Sequence, residues 1–129
     1  MTRDMDLIRE LLFKLEAHTL PPGSVELFRG NEPTISVEGY SPQQIVFHLL
    51  LIKEAGFIES PGTQVMPGVT FRRLSWAGFD FLNSVRSPEV WRKTKGGVEA
   101  AGGFTVDLLK DLAKGFLKTQ IEERTGVKL

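Results

Sequence analysis

The stretch from Ser41 to Gly56 constrains this chain most. Ser41-Pro42 is a helix start, a Ser N-cap followed by Pro at the first helical position. Gly56 supplies the stop. In the helix predicted to run to Ala55, the residues Ile45, Val46, Phe47, Leu49, Leu50, Leu51 and Ile52 leave few polar sides. A helix that is apolar nearly all round is buried on most sides. Another element, such as an amphipathic C-terminal helix, or a second subunit must cover it. The length of 129 residues suits one domain. A chain of that size buries roughly two thirds of its unfolded surface, which supports a core without staples.

The other elements follow from periodicity and punctuation. Met5, Ile8, Leu12 and Leu15 recur at helical spacing, with Leu7 and Leu11 widening the stripe, so a first helix is predicted over Arg3 to Ala17. Leu20-Pro21-Pro22-Gly23 ends it. A loop follows, and the alternation Ile35-Ser36-Val37-Glu38 predicts a short strand. Phe57-Ile58-Glu59 begins a strand, and Val69 to Leu74 returns as its hairpin partner, with Pro61-Gly62 and Pro67-Gly68 in the long loop between. Ser75 caps a helix over Trp76 to Val85, with Trp76, Phe79, Phe81 and Leu82 assigned to the core. Ser87-Pro88 starts a short helix through Trp91. Gly96-Gly97 and Gly102-Gly103 bracket a flexible link. Thr105 caps a last helix, Val106 to Arg124, which Gly126 ends. The order predicts an α+β chain, since βαβ units are too few for a doubly wound sheet.

Composition excludes several kinds of chemistry. There is no Cys, hence no disulfide framework, thiolate nucleophile or Cys-ligated metal. The two histidines, His18 and His48, form no Ser-His-Asp or His-Glu-x-x-His spacing and read as satisfied, half-buried imidazoles. Ala100-Ala101-Gly102-Gly103 lacks the phosphate-loop signature and reads as linker. No catalytic residue, metal ligand or cofactor is predicted. An acidic N-terminus without an apolar h-region, and no apolar run long enough to span a bilayer, predict a cytoplasmic chain free of the membrane.

Net charge is zero, but its parts are not. Residues 1–69 hold 5 basic and 9 acidic side chains, 70–97 hold 6 and 2, and 98–129 hold 5 of each. The basic part includes Arg72, Arg73, Arg92, Lys93 and Lys95, with Trp91 beside the last three. Such a patch can hold phosphates without reading bases.

Ile45, His48-Leu49, Ile52, Glu54-Ala55-Gly56-Phe57-Ile58, a hairpin, then Leu74-Ser75-x-x-Gly78-x-x-Phe81-Leu82 resembles the recognition helix and wing of winged-helix regulators. The resemblance covers about residues 45–82. The whole chain is also similar to an uncharacterised bacterial and prophage family of short proteins. The likeness rests on Arg3 to Arg9, Gly39-Tyr40, His48-Leu49, Glu54 to Gly56, Trp76 to Leu82 and Val90 to Lys95. That family brings no activity with it. The first resemblance implies a winged-helix-like domain over 1–97, with a linker and amphipathic helix over 98–129 packing on it.

Two features steer the functional expectation. A strand and Gly39-Tyr40 are predicted where a helix-turn-helix has its first helix. With Ile45, Leu49 and Ile52 facing the core, as the resemblance implies, the outward positions of helix 42–55 include Val46, Phe47, Leu50 and Leu51, whereas a major-groove reader needs polar side chains there. The leading expectation is a non-enzymatic binding module acting through protein contacts or a homodimer, with those four residues as its face. The alternative is a regulator bound to duplex DNA. It would contact phosphates through Arg72, Arg73, Arg92, Lys93 and Lys95, and bases through Gln43 and Gln44.

Overall fold

In a computed structural model describing residues 1–62, 68–100 and 105–129, the N-terminal helix α1 spans Met5–Ala17. Its start is set by Asp4, whose Oδ1 accepts the Leu7 N–H at 3.2 Å. Its apolar stripe, Leu7, Ile8, Leu11, Leu12 and Leu15, is buried. Strand β1 follows at Glu26–Phe28, then a single 3₁₀ turn at Pro33–Ile35 and helix α2 at Pro42–Glu54. Strands β2 (Ile58–Glu59), β3 (Val69–Phe71) and β4 (Arg73–Leu74) lead into helices α3 (Trp76–Ser84), α4 (Pro88–Ala100) and α5 (Val106–Thr125). Among the described residues, five helices with two small antiparallel sheets make an α+β chain.

The chain forms two compact units, Met1–Phe79 and Asp80–Leu129. They part at 79/80, inside α3.

In the first unit α1 packs on α2, β4 and the 3₁₀ turn, and α2 packs on β2 and β3. The segment 69–74 is broken at Arg72. Its first part pairs with β1 (Glu26 opposite Phe71, Phe28 opposite Val69), and its second with β2 (Ile58 opposite Leu74, Glu59 opposite Arg73). The expected hairpin is therefore present only over its base, and β3 serves a strand that the sequence reading left as loop. The Phe28 and Phe71 rings, 5.9 Å apart, anchor the pairing of β1 with β3. The strand expected at Ile35–Glu38 is absent. Pro33 opens a 3₁₀ turn closed by Ser36 N–H to Pro33 O, and Tyr40 N–H donates to Val37 O. Four alternating residues without a partner strand yield to local turn bonds.

In the second unit α4 packs on α5. Helix α4 runs unbroken through Gly96 and Gly97, correcting the short helix and the link expected there. Val90, Trp91, Thr94 and Val98 form its buried stripe, so periodicity continues past the glycines and overrides their poor helix propensity. Gly97 also meets α5 closely, 3.4 Å from Leu112 Cδ1 by its ideal Cβ position. Helix α5 starts at the Thr105 cap and ends at Gly126, as the sequence predicts. The Pro67 turn and the Gly102-Gly103 link lie outside the described residues.

Candidate binding surfaces

Helix α2 begins with a capping box. Ser41 Oγ accepts the Gln44 N–H at 3.2 Å, and Gln44 Oε1 accepts the Ser41 N–H at 2.8 Å. The cap thus engages the carbonyl of Gln44, while Gln43 is exposed. Ile45, His48, Leu49 and Ile52 are buried. Val46, Phe47, Leu50 and Leu51 are half-buried, each keeping part of its apolar surface in water.

His48 is 2 % exposed and fully bonded. Its Nε2 accepts the Asp4 backbone N–H at 2.9 Å, and its Nδ1 lies 2.7 Å from Gln44 O. Asp4 also accepts the Tyr40 hydroxyl at 2.7 Å on Oδ2. That bond, then partial loss of solvent and the nearby Asp4, Asp6 and Glu10 carboxylates, pushes the Tyr40 phenol from 10.0 up to about 12. A value raised in the fold adds stability below the unfolded value near 10, and that stability drains away as pH climbs from about 10 to about 12. Tyr40 is the one tyrosine of the sequence, so absorbance at 295 nm reports it alone. The expected midpoint is about 12 in the folded chain and about 10 in denaturant. A folded midpoint near 10 contradicts the bond to Asp4.

Arg72 and Arg73 sit at the junction of β3 and β4. Arg72 N–H donates to Glu59 O at 3.0 Å, and the buried Arg72 Nε has no hydrogen-bond partner among the described residues. Arg73 is ion-paired with Glu59, which holds the Glu59 carboxyl below its usual range and lifts the Arg73 guanidinium. Arg92 and Lys93 are exposed on α4, Lys93 at 3.4 Å from Glu89, and Lys95 Nζ lies 5.8 Å from the Trp91 ring centre. The five cations read together from the sequence thus belong to two different units, Arg72 and Arg73 to the first and the other three to the second.

The surface that sequence reasoning missed lies at the start of α3. Trp76 is 84 % exposed and Phe79 40 % exposed, which corrects their assignment to the core. The buried side of α3 runs through Gly78, Phe81 and Leu82 instead, and Val85 just past its end is buried too. The first turn is firmly seated. Ser75 N–H donates to Phe57 O at 2.9 Å, Ser75 Oγ accepts the Gly78 N–H at 3.0 Å, and the same hydroxyl donates to Gly56 O. Gly78 presses on the Phe57 carbonyl so closely that a Cβ would lie 2.0 Å from its oxygen. Trp76 and Phe79 line a groove of about 420 Å³ with Leu74, Ser75, Glu59 and Arg73. Among the described residues no group of three His, Asp or Glu side chains is placed to hold a metal, and no helix is long and apolar enough to cross a membrane.

Residues 2–104 match the family described as Hypothetical protein (DUF2513). The chain belongs to the DUF2513 family. A relative from Haemophilus influenzae, called "Uncharacterized protein", is 29% identical over 124 residues, which span 94% of this chain and 99% of that one. No solved structure matches. The DUF2513 match takes in α1 through α4 and the groove beside Trp76, and it stops short of α5.

Proposed function

We propose that this DUF2513 chain is a non-enzymatic, winged-helix-like binding module of bacterial or prophage regulatory type that works in the cytoplasm through contacts with a second copy of itself. The winged-helix reading is supported by α2 running through Gly56 into β2, and by β4 returning antiparallel to β2 as the base of a wing. A single 3₁₀ turn stands where a helix-turn-helix has its first full helix.

The observation that carries the reading is apolar surface kept in water on a rigid mount. Trp76 stands 84 % exposed on a helix turn pinned by Ser75 and Gly78. Trp and Arg are the residue types that most often anchor protein interfaces. A fixed indole binds with little further ordering. Val46, Phe47, Leu50 and Leu51 add half-buried apolar area on α2.

Fluorescence tests it. Trp91 is buried and Trp76 exposed, so burial of Trp76 in an assembly shifts the emission to the blue as protein concentration rises. The shift is expected to vanish in Trp76→Phe if the indole is the anchor. Emission independent of concentration contradicts the reading.

A second reading, contact with nucleic acid, has one observation in its favour. Arg92 is exposed on α4, one residue from Trp91 and three from Lys95. Phosphate contacts by such residues make retention fall steeply with salt. Against this, α2 offers Val46, Phe47, Leu50 and Leu51 where bases would be read. The proposed function therefore predicts no retention on duplex DNA at 50 mM salt, roughly the ionic strength at which phosphate binding is strong. Tight, salt-sensitive retention that Arg92→Ala weakens would establish the second reading.

A further inference from the structure

We propose that His48 is a proton-operated latch that ties the first turn of α1 to α2. The ring is 2 % exposed, and both of its partners are backbone groups of fixed polarity. The Asp4 N–H can only donate, so the Nε2 it meets at 2.9 Å carries no proton. The Gln44 carbonyl can only accept, so the Nδ1 at 2.7 Å carries one. The fold therefore specifies one neutral tautomer, and only that tautomer satisfies both bonds.

Adding a proton to Nε2 sets one N–H against another. The Asp4 N–H, at the cap of α1, then loses its acceptor. The groups around the ring do not relieve this. From the α1 side the ring meets Asp4, whose carboxylate already accepts the Leu7 N–H and the Tyr40 hydroxyl. Any turn of this carboxylate toward the imidazolium competes with the two bonds that hold the same turn. Asp6 and Glu10 of α1 lie within electrostatic reach of Tyr40. Of the strands packed on α2, β2 brings Glu59, held by Arg73, and β3 brings no titratable side chain. On α2 itself the neighbouring Phe47 ring meets His48 edge-on, with centroids 5.3 Å apart. A proton on His48 Nε2 thus removes the bond that ties the cap of α1 to α2.

Imidazole ¹⁵N spectra of the full chain read the tautomer directly, and His18→Gln removes the other histidine's signals. At neutral pH the expected result is a protonated Nδ1 and a bare Nε2. On acidification the protection of the Asp4 amide against exchange is expected to fall at least tenfold. It falls with the midpoint at which the His48 ring nitrogens change, and before the global circular dichroism does. An Nε2–H tautomer at neutral pH overturns the proposal. So does Asp4 protection that stays constant while His48 titrates. So does a His48 that remains neutral until the whole chain unfolds. The wild-type spectra decide the matter without a His48 variant.

Discussion

Replacing Gly78 by Ala is expected to destabilise the chain by about 3 kcal/mol, at the upper end of ordinary overpacking. The added methyl would sit 2.0 Å from the Phe57 oxygen, with the Phe57 carbon at 2.9 Å. Neither is the far end of a flexible side chain, so the helix turn or the strand must move. Movement also costs the Ser75 bonds to Phe57 and Gly56, since they fasten the same turn. At roughly 4 °C per kcal/mol for a chain of this size, Tm falls by about 12 °C. Gly96→Ala is the control. Gly96 lies inside α4 with nothing within 4 Å of its Cβ position, so the same substitution should gain up to about 1 kcal/mol by helix propensity. Chemical denaturation of both variants checks the opposite signs. A neutral Gly78→Ala contradicts the close approach.

The two tryptophans should behave just as differently. Trp91 is 5 % exposed, and Trp91→Ala is expected to cost about 3–5 kcal/mol through lost burial and the cavity left behind. Trp76→Ala should change the stability of the isolated chain by less than about 0.5 kcal/mol, as surface substitutions do. Urea unfolding of each variant, at a concentration where the protein is monomeric, measures both. Comparable losses from the two would mean that Trp76 packs inside the fold. The proposed function would then lose its anchor.

Much of the architecture was legible in the sequence because the signals were local and strong. The Ser41-Pro42 start, the Gly56 stop, the α1 stripe and the Thr105 cap each act within a few residues, and each element lies where they place it. What failed depended on distance. Strand β1 is a strand because Phe28 reaches Phe71, a pairing that nothing in Glu26-Leu27-Phe28 announces. The Ile35–Glu38 alternation had no such partner. Within α3 two apolar pairs compete, Trp76 with Phe79 and Phe81 with Leu82. The larger side chains favour the first on paper. Gly78 decides for the second, because only a residue without a side chain fits against Phe57. The spacing of Ser75 and Gly78 was visible in the sequence, and reading it as a seat for the turn would have put Trp76 outside.

Sedimentation velocity over a rising concentration series tests the central claim most directly, with wild type beside Trp76→Ala. Self-association through the exposed indole predicts a weight-average mass that climbs from monomer toward dimer in the wild type. It predicts that Trp76→Ala stays monomeric with an unchanged circular dichroism spectrum. A wild type that remains at the monomer mass throughout, or a Trp76→Ala variant that associates equally well, contradicts it.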